Sequence, residues 1–226
     1  MNTQPRLVEV RRNVLKQNDL LATDLRQRFE EAGVFVTSLV SSPGTGKTEF
    51  LEKTLSMLRT DFRVAALVGD LATANDAARL ERAGVPVRQI TTGTICHLEA
   101  QMVGDALDGW DLNDLDHLFI ENVGNLVCPS SYDLGEALRI VLMSVTEGED
   151  KPLKYPTIFN TADVAVITKM DLADAVEFDR EAALKSIQAV RPGIEVVEVS
   201  AKTGTGMDEW ISFLGSQKKM RTLAAA

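Results

Sequence analysis

A glycine-rich loop between a predicted strand and a predicted helix constrains this fold more than any other part of the sequence. Residues 34–40 form a mostly apolar run, and the loop that follows is Ser41-Ser42-Pro43-Gly44-Thr45-Gly46-Lys47-Thr48. A helical pattern begins at once after it. Small residues let backbone N–H groups turn inward around a phosphate, and the helix N-terminus adds partial positive charge. The segment therefore predicts a phosphate-binding loop in an α/β fold.

Two side chains of this loop are predicted to act on the nucleotide. Lys47 is expected to contact the β- and γ-phosphates from a space that only the ligand fills, and Thr48 to place its hydroxyl on Mg²⁺. Ser41 stands where this motif usually has glycine. An ordinary glycine turn is the alternative, but the flanking strand and helix favour nucleotide binding. The other residues predicted to surround the phosphates are Ser42, Gly44, Thr45 and Gly46.

Beyond residue 33, short apolar runs alternate with amphipathic segments, which is typical of a mostly parallel α/β sheet flanked by helices. The runs are 34–40, 64–68, 87–90, 118–123, 140–145, 164–168 and 196–199, and the predicted helices are 48–59, 73–83, 97–108, 179–190 and 207–217. Residues 6–32 carry a helical stripe that ends at Gly33. We therefore divide the chain into an N-terminal helical arm, 1–33, expected to pack on the domain, and an α/β domain, 34–226. Residues 148–160 are expected to form a loop with a short helical turn.

The charge balance excludes several classes of partner. The net charge is −9, which disfavours nucleic acid and anionic membrane surfaces. No apolar run approaches the roughly 18 residues that span a bilayer, and the N-terminus lacks the apolar core of a secretory signal. We therefore expect a cytoplasmic protein whose two cysteines are free thiols or metal ligands rather than a disulfide.

Two later strand ends favour GTP over ATP. The segments Thr168-Lys169-Met170-Asp171 and Ser200-Ala201-Lys202 each follow an apolar run, where ligands bind in parallel sheets. They resemble the base-recognition motifs of P-loop GTPases. In that resemblance Asp171 accepts two hydrogen bonds that adenine cannot supply, Ala201 donates to the keto oxygen of guanine, and Lys169 lies along the base. Thr168 replaces the usual asparagine and is expected to hold its loop less tightly.

Acidic residues end two further strands. Gly69-Asp70 and Glu121-Asn122-Val123-Gly124 are expected near the phosphate loop, with Asp70 and Glu121 reaching Mg²⁺ together with Thr48. The backbone N–H of Gly124 is expected to reach the γ-phosphate. A turn or helix-capping aspartate is the alternative for Asp70.

A cysteine–histidine pattern makes a family recognisable. Gly93-Thr94-Ile95-Cys96-His97, Val127-Cys128-Pro129, Asp133-Leu134-Gly135-Glu136 and the stretch SVTEGEDKPLKYP resemble the HypB family, the GTPases of nickel insertion into NiFe-hydrogenases. The resemblance covers nearly all of 34–216. It implies a nickel or zinc site at Cys96, His97 and Cys128, a homodimer promoted by GTP, and other hydrogenase maturation proteins as partners.

Other interpretations of this pattern remain open. Two buried cysteines and a surface histidine are the alternative to a metal site. His117, before an apolar strand, is interpreted as structural, and Glu99 and Glu136 as solvated charges or outer partners of the metal residues.

The function predicted from the sequence is nickel delivery coupled to GTP binding and to slow hydrolysis, since no obvious catalytic glutamine is present. One alternative is a nucleotide-controlled metal-binding assembly module with incidental hydrolysis. Another is a urease-type nickel accessory GTPase, which Ser130 disfavours because histidine usually follows Cys-Pro there. An ATP-dependent kinase is disfavoured by the two base motifs.

Overall fold

The structure is a computed structural model that describes residues 4–71 and 75–225. It contains a seven-stranded sheet in which every neighbouring pair is parallel, in the order β3-β2-β4-β1-β5-β6-β7. The strands are β1 Phe35–Ser41, β2 Val64–Asp70, β3 Val87–Thr91, β4 His117–Glu121, β5 Leu138–Ser144, β6 Val164–Thr168 and β7 Glu195–Glu198. Each predicted run forms one strand, so the α/β fold class is confirmed.

Helices cover both faces of the sheet. They are α1 Gln4–Glu31, α2 Lys47–Leu58, α3 Asn75–Leu80, α4 Ala100–Ala106, α5 Lys151–Lys154, α6 Pro156–Thr161, α7 Arg180–Val190 and α8 Met207–Ala225. The first two residues of the helix predicted at 73–83 lie outside the described residues. The loop expected at 148–160 was wrong in part, because it contains α5 and α6. Each has proline in its first turn, where no backbone donor is needed.

Three apolar clusters form the core. On one face, α2 and α8 meet the sheet around Phe50 and Trp210, whose ring centroids are 5.2 Å apart. The Trp210 indole N–H also donates to Thr54 Oγ1 at 3.0 Å, so its polar atom is satisfied inside the core. The opposite face is covered by α1 and α4 on one side and by α6 and α7 on the other. This burial holds the sheet rigid behind the loops at its edge.

The N-terminal helix packs on the domain, as expected. Leu25 and Phe29 are buried in the cluster that α1 shares with α4. The Arg26 guanidinium contacts the Asp133 carboxylate at 2.7 Å, and Asn18 donates to the backbone oxygen of Asp133 at 2.8 Å. The division of the chain at residue 33 stays a prediction.

His117 begins β4 inside an apolar environment. Phe35, Phe62 and Phe119 surround its ring, and neither ring nitrogen has a hydrogen-bond partner. Burial, together with the nearby Lys218 charge, lowers the pKa of His117 to about 4. The neutral ring is therefore a packing element, in agreement with its structural interpretation.

Because all strands run the same way, their carboxyl ends share one edge of the sheet. The phosphate loop leaves β1 there, Asp70 ends β2, and Glu121 ends β4. β4 lies between β1 and β2, so both carboxylates flank the phosphate loop. Among the described residues, no helix has the length and apolar character needed to cross a bilayer.

Candidate functional site

The phosphate loop has the backbone that its glycines require. Gly44 has φ of 77° and Gly46 has φ of 91°, in the left-handed region that side chains rarely adopt. α2 begins immediately afterwards at Lys47. A cavity of about 480 Å³ opens above the loop, and Asp70 and Gly124 also line it. The predicted phosphate residues are thus brought together; the loop part of the lining is Ser42, Pro43, Gly44, Thr45, Gly46, Lys47 and Thr48.

Glu121 contacts both functional side chains of the loop. Its Oε1 accepts from Lys47 Nζ at 3.0 Å and from Thr48 Oγ1 at 2.7 Å. The expectation that Lys47 points into a space filled only by ligand was wrong, because β4 lies beside β1 and carries a carboxylate there. Glu121 is fully buried and its Oε2 has no partner. A free buried carboxylate oxygen beside a threonine hydroxyl fits a hard cation such as Mg²⁺.

Asp70 and Gly124 approach the loop from either side. Asp70 Oδ1 accepts from the Leu71 N–H at 2.7 Å, as expected for a turn aspartate, while its residue also lines the phosphate cavity. A Cβ placed on Gly124 would lie 3.2 Å from Pro43 Cα. Glycine therefore lets the segment after β4 pass close to the phosphate loop.

The two base motifs meet in the structure. Ser200 Oγ donates to Asp171 Oδ1 at 2.7 Å, which orients that carboxylate. Lys169 has φ of 60°, and its Nζ donates to the Gly44 oxygen at 2.7 Å. A second cavity, of about 230 Å³, lies between the motifs; its lining includes Lys169, Asp171, Ala201 and Lys202.

Thr168 connects the base site to the phosphate loop. Its hydroxyl lies 2.7 Å from the Thr45 carbonyl and 3.3 Å from the Met143 carbonyl, both within hydrogen-bond distance. We expected threonine to hold this loop less tightly than asparagine; the shorter side chain nevertheless spans the distance.

Sequence reasoning missed Glu147. It accepts from Thr45 Oγ1 at 2.9 Å and from the Ser144 N–H at 2.7 Å, and it pairs with Lys151 at 3.0 Å. Burial alone would raise the pKa of Glu147, but these donors hold it below its ordinary value. The spacing of Ser144 and Glu147 is that of a capping box, which could have revealed a fixed carboxylate behind the phosphate loop.

Cys96, His97 and Cys128 also come together. Their ligand atoms lie within 4.8 Å of one another, and the two sulfurs are 2.7 Å apart. Cys96 and His97 lie between β3 and α4, whereas Cys128 begins a 3₁₀ turn after β4. Contact with the Cys128 sulfur, together with burial, raises the pKa of Cys96. Thiolate and imidazole donors suit nickel and zinc.

The histidine of this cluster has one ring nitrogen without a hydrogen-bond partner. Its Nδ1 is buried without a partner, and its Nε2 lies 3.3 Å from Glu99 Oε1. The ring stacks on Tyr132 with centroids 3.9 Å apart. Its side chain is only 12% exposed and both cysteines are half-buried, so buried cysteines beside a surface histidine do not describe the site.

The two acidic neighbours differ. Glu99 contacts His97, which fits the outer-partner alternative. Glu136 is nearly buried and accepts from Ser38, Arg139 and the Leu134 N–H. Its interpretation as a solvated charge was wrong, because strand β1 and the turn before β5 enclose it.

Comparison with known proteins agrees with this geometry. Residues 35–198 match the family model described as CobW/HypB/UreG, nucleotide-binding domain. The chain is 47% identical to the hydrogenase maturation factor HypB of Azotobacter chroococcum, over 98% of this chain and 73% of that protein. It is 40% identical to the hydrogenase/urease maturation factor HypB of Helicobacter pylori, over 96% of this chain and 91% of that protein.

A solved structure shows the same similarity. The crystal structure of HypB from Helicobacter pylori in complex with nickel has a TM-score of 0.86 and 42% sequence identity, covering 91% of this chain and 96% of that one. The fold is therefore shared with a relative that was solved with nickel.

Proposed function

This chain belongs to the CobW/HypB/UreG family, among the HypB hydrogenase maturation factors, and on that premise we propose that it couples GTP binding and hydrolysis to nickel delivery during NiFe-hydrogenase maturation. The observation that carries this proposal is the segment from Glu121 to Cys128. Glu121 contacts Lys47 and Thr48 of the phosphate loop, and seven residues later Cys128 contacts Cys96. One short segment thus joins the phosphate loop to the cysteine–histidine cluster, which supports the proposed coupling.

Binding and hydrolysis of GTP are proposed to depend on four acidic and hydroxyl side chains. Asp171, oriented by Ser200, would select guanine, because a buried polar group left unpaired penalises other bases by up to ~10⁵-fold. Thr48, Asp70 and Glu121 would hold Mg²⁺, which when bound neutralises phosphate charge. Hydrolysis is proposed to be slow, since the sequence offers no obvious glutamine to orient water.

The metal half rests on an incomplete donor set. Cys96, His97 and Cys128 offer three ligands, whereas a closed tetrahedral zinc site takes four. We propose that water or a second copy of this chain supplies the remainder, and that GTP promotes this homodimer. Nickel is the cargo, zinc a competing occupant, and other hydrogenase maturation proteins in the cytoplasm are the partners.

A metal titration tests the proposal. Nickel affinity of the purified chain should differ between the GDP form and the form with a non-hydrolysable GTP analogue, because binding at linked sites is reciprocal. Cys128→Ala should weaken nickel binding at least about 100-fold, consistent with loss of one of three ligands, and leave GTP affinity unchanged. Ser130→Ala, two residues away, is the matched control and should retain both affinities. Identical nickel affinities in all nucleotide forms would reject coupled delivery.

Two alternatives are kept because specific observations favour them. The missing water-positioning glutamine favours an assembly module with incidental hydrolysis, and in that case metal transfer would proceed equally with GTP and its non-hydrolysable analogue. The Helicobacter pylori relative is named for both hydrogenase and urease, so delivery of nickel towards urease is the second. Measuring nickel transfer to the maturation complex of apo-hydrogenase and to that of apo-urease distinguishes delivery to one enzyme from delivery to the other.

A further inference from the structure

Leu98, which follows Cys96 and His97 in the chain, contacts the ends of β2 and β4, the strands that end at the predicted Mg²⁺ ligands. Leu98, next to His97, is fully buried. Its N–H donates to Asn122 Oδ1 at 3.0 Å. Its side chain fills the space above Gly69, where a Cβ would lie 2.8 Å from Leu98 Cδ2. Gly69 and Asn122 are the chain neighbours of Asp70 and Glu121, so Leu98 contacts both strand ends at once.

Asn122 is the centre of this contact. It is 1% exposed, and the same Oδ1 also accepts from the Val123 N–H at 2.9 Å. Its own N–H donates to the Leu39 carbonyl in β1, at 3.0 Å. A buried amide with these fixed bonds cannot shift alone, because an unpaired buried donor or acceptor is costly. A shift of the strand end at Glu121 would therefore reach the backbone of Leu98 through Asn122.

A second amide joins the same two segments nearer the sulfurs. Asn125 Nδ2 donates to the Cys96 carbonyl at 3.2 Å, and its Oδ1 accepts from the Val127 N–H at 2.8 Å. Val127 is the neighbour of Cys128. Asn125 thus joins the backbones on either side of the pair of sulfurs.

We propose that Asn122 and Asn125 are positioning residues that transmit nucleotide state to the metal cluster. This inference rests on the proposed function. In the structure Glu121 is bonded to Lys47 and Thr48; when nucleotide and Mg²⁺ compete for those groups, Glu121 must rearrange. Asn122 carries that rearrangement to Leu98 and His97, and Asn125 carries it to Cys96 and Cys128. Neither asparagine is among the residues proposed to bind nucleotide or metal.

The ratio of two nickel affinities tests this. Nickel alone is titrated into metal-free protein in the GDP form and in the form with a non-hydrolysable GTP analogue, and the two dissociation constants are compared. Allosteric couplings of this kind typically give ratios of about 5–150. Asn122→Ala should bring the ratio to within about twofold of one, and Asn125→Ala should reduce it in part. A purely structural role would weaken both forms equally and leave the ratio unchanged.

Asn113→Ala is the matched control. Its amide donates to Asp111 at 2.9 Å in the exposed turn before β4, at the far end of the strand from Glu121. The control should keep the wild-type ratio. A folded Asn122→Ala variant with the wild-type ratio would overturn this inference and leave the proposed function standing. If Asn122→Ala does not fold, a wild-type ratio of nickel affinities in Asn125→Ala would likewise overturn this inference. A wild-type ratio of one would overturn coupled delivery and this inference together.

Discussion

The nucleotide site and the metal cluster lie on the same edge of the sheet but are built differently. In the nucleotide site, side chains satisfy one another across the fold: Lys47 with Glu121, Asp171 with Ser200, and Thr168 with Thr45. In the metal cluster, His97 Nδ1 has no partner and the two sulfurs lie 2.7 Å apart. The polar side chains of the first site pair with one another, whereas the second leaves a buried imidazole nitrogen without a partner.

This difference follows from what each site must release. A buried charge without its partner destabilises a fold, so a site that is repeatedly emptied of phosphate needs an internal counter-charge. Glu121 provides one for Lys47. In the metal cluster both cysteines are half-buried, and Glu99 Oε1 lies 3.3 Å from His97 Nε2. An open donor set also suits a metal that is passed on.

The largest effect is expected where the ion pair between Lys47 and Glu121 is removed. Lys47→Ala should abolish GTP hydrolysis and lower the free energy of unfolding of the ligand-free chain by about 3–5 kcal/mol, because Glu121 is left as an unpaired buried charge. Adding Glu121→Gln should restore most of that stability without restoring hydrolysis. Urea denaturation and phosphate release measure the two quantities.

Exposed Lys53 on the same helix is the control for that change. Lys53→Ala should leave stability and turnover at wild-type values. A Lys47→Ala chain that is as stable as wild type would show that Lys47 does not stabilise the buried Glu121 carboxylate. A chain that still hydrolyses GTP would show that the phosphate loop takes no part in the reaction.

A smaller effect is expected at the base. Asp171→Asn should weaken GTP binding by at least about 100-fold and favour xanthosine triphosphate, whose keto group accepts where guanine donates. Nickel affinity of the nucleotide-free chain should not change, because Asp171 lies in the base site and not in the metal cluster. Nucleotide competition measures this, with exposed Asp174→Asn as control. Unaltered preference for GTP would remove Asp171 from base recognition.

The smallest effect is expected from a change of pH, which should alter nickel affinity more than GTP affinity. Thiols must lose a proton to bind metal, and contact with Cys128 raises the pKa of Cys96, so protons compete with nickel throughout the neutral range. Nickel affinity should fall by about tenfold per released proton between about pH 8 and about pH 7. GTP affinity should change by less than about threefold. Parallel titrations of metal and nucleotide check this; equal pH slopes would contradict it.

Much of the fold follows from local patterns. The run before Ser41, the glycines after it and the helical pattern from Lys47 each describe backbone within a few residues, and the same holds for the other apolar runs. The donors Cys96, His97 and Cys128 were implied by the resemblance to the HypB family, whereas the residue types alone also allowed two buried cysteines and a surface histidine. Even Glu147 left a local sign, its capping box with Ser144.

The sequence by itself therefore determined the helices, the strands and the backbone of the phosphate loop, because these depend on short-range backbone preferences; the base motifs and the metal donors stay predictions. Only the tertiary structure decided which of them touch. Lys47 meets Glu121 across 74 positions, and Leu98 meets Asn122 across 24, because β4 lies between β1 and β2. Strand order depends on how whole helices and strands pack, and no local pattern records it.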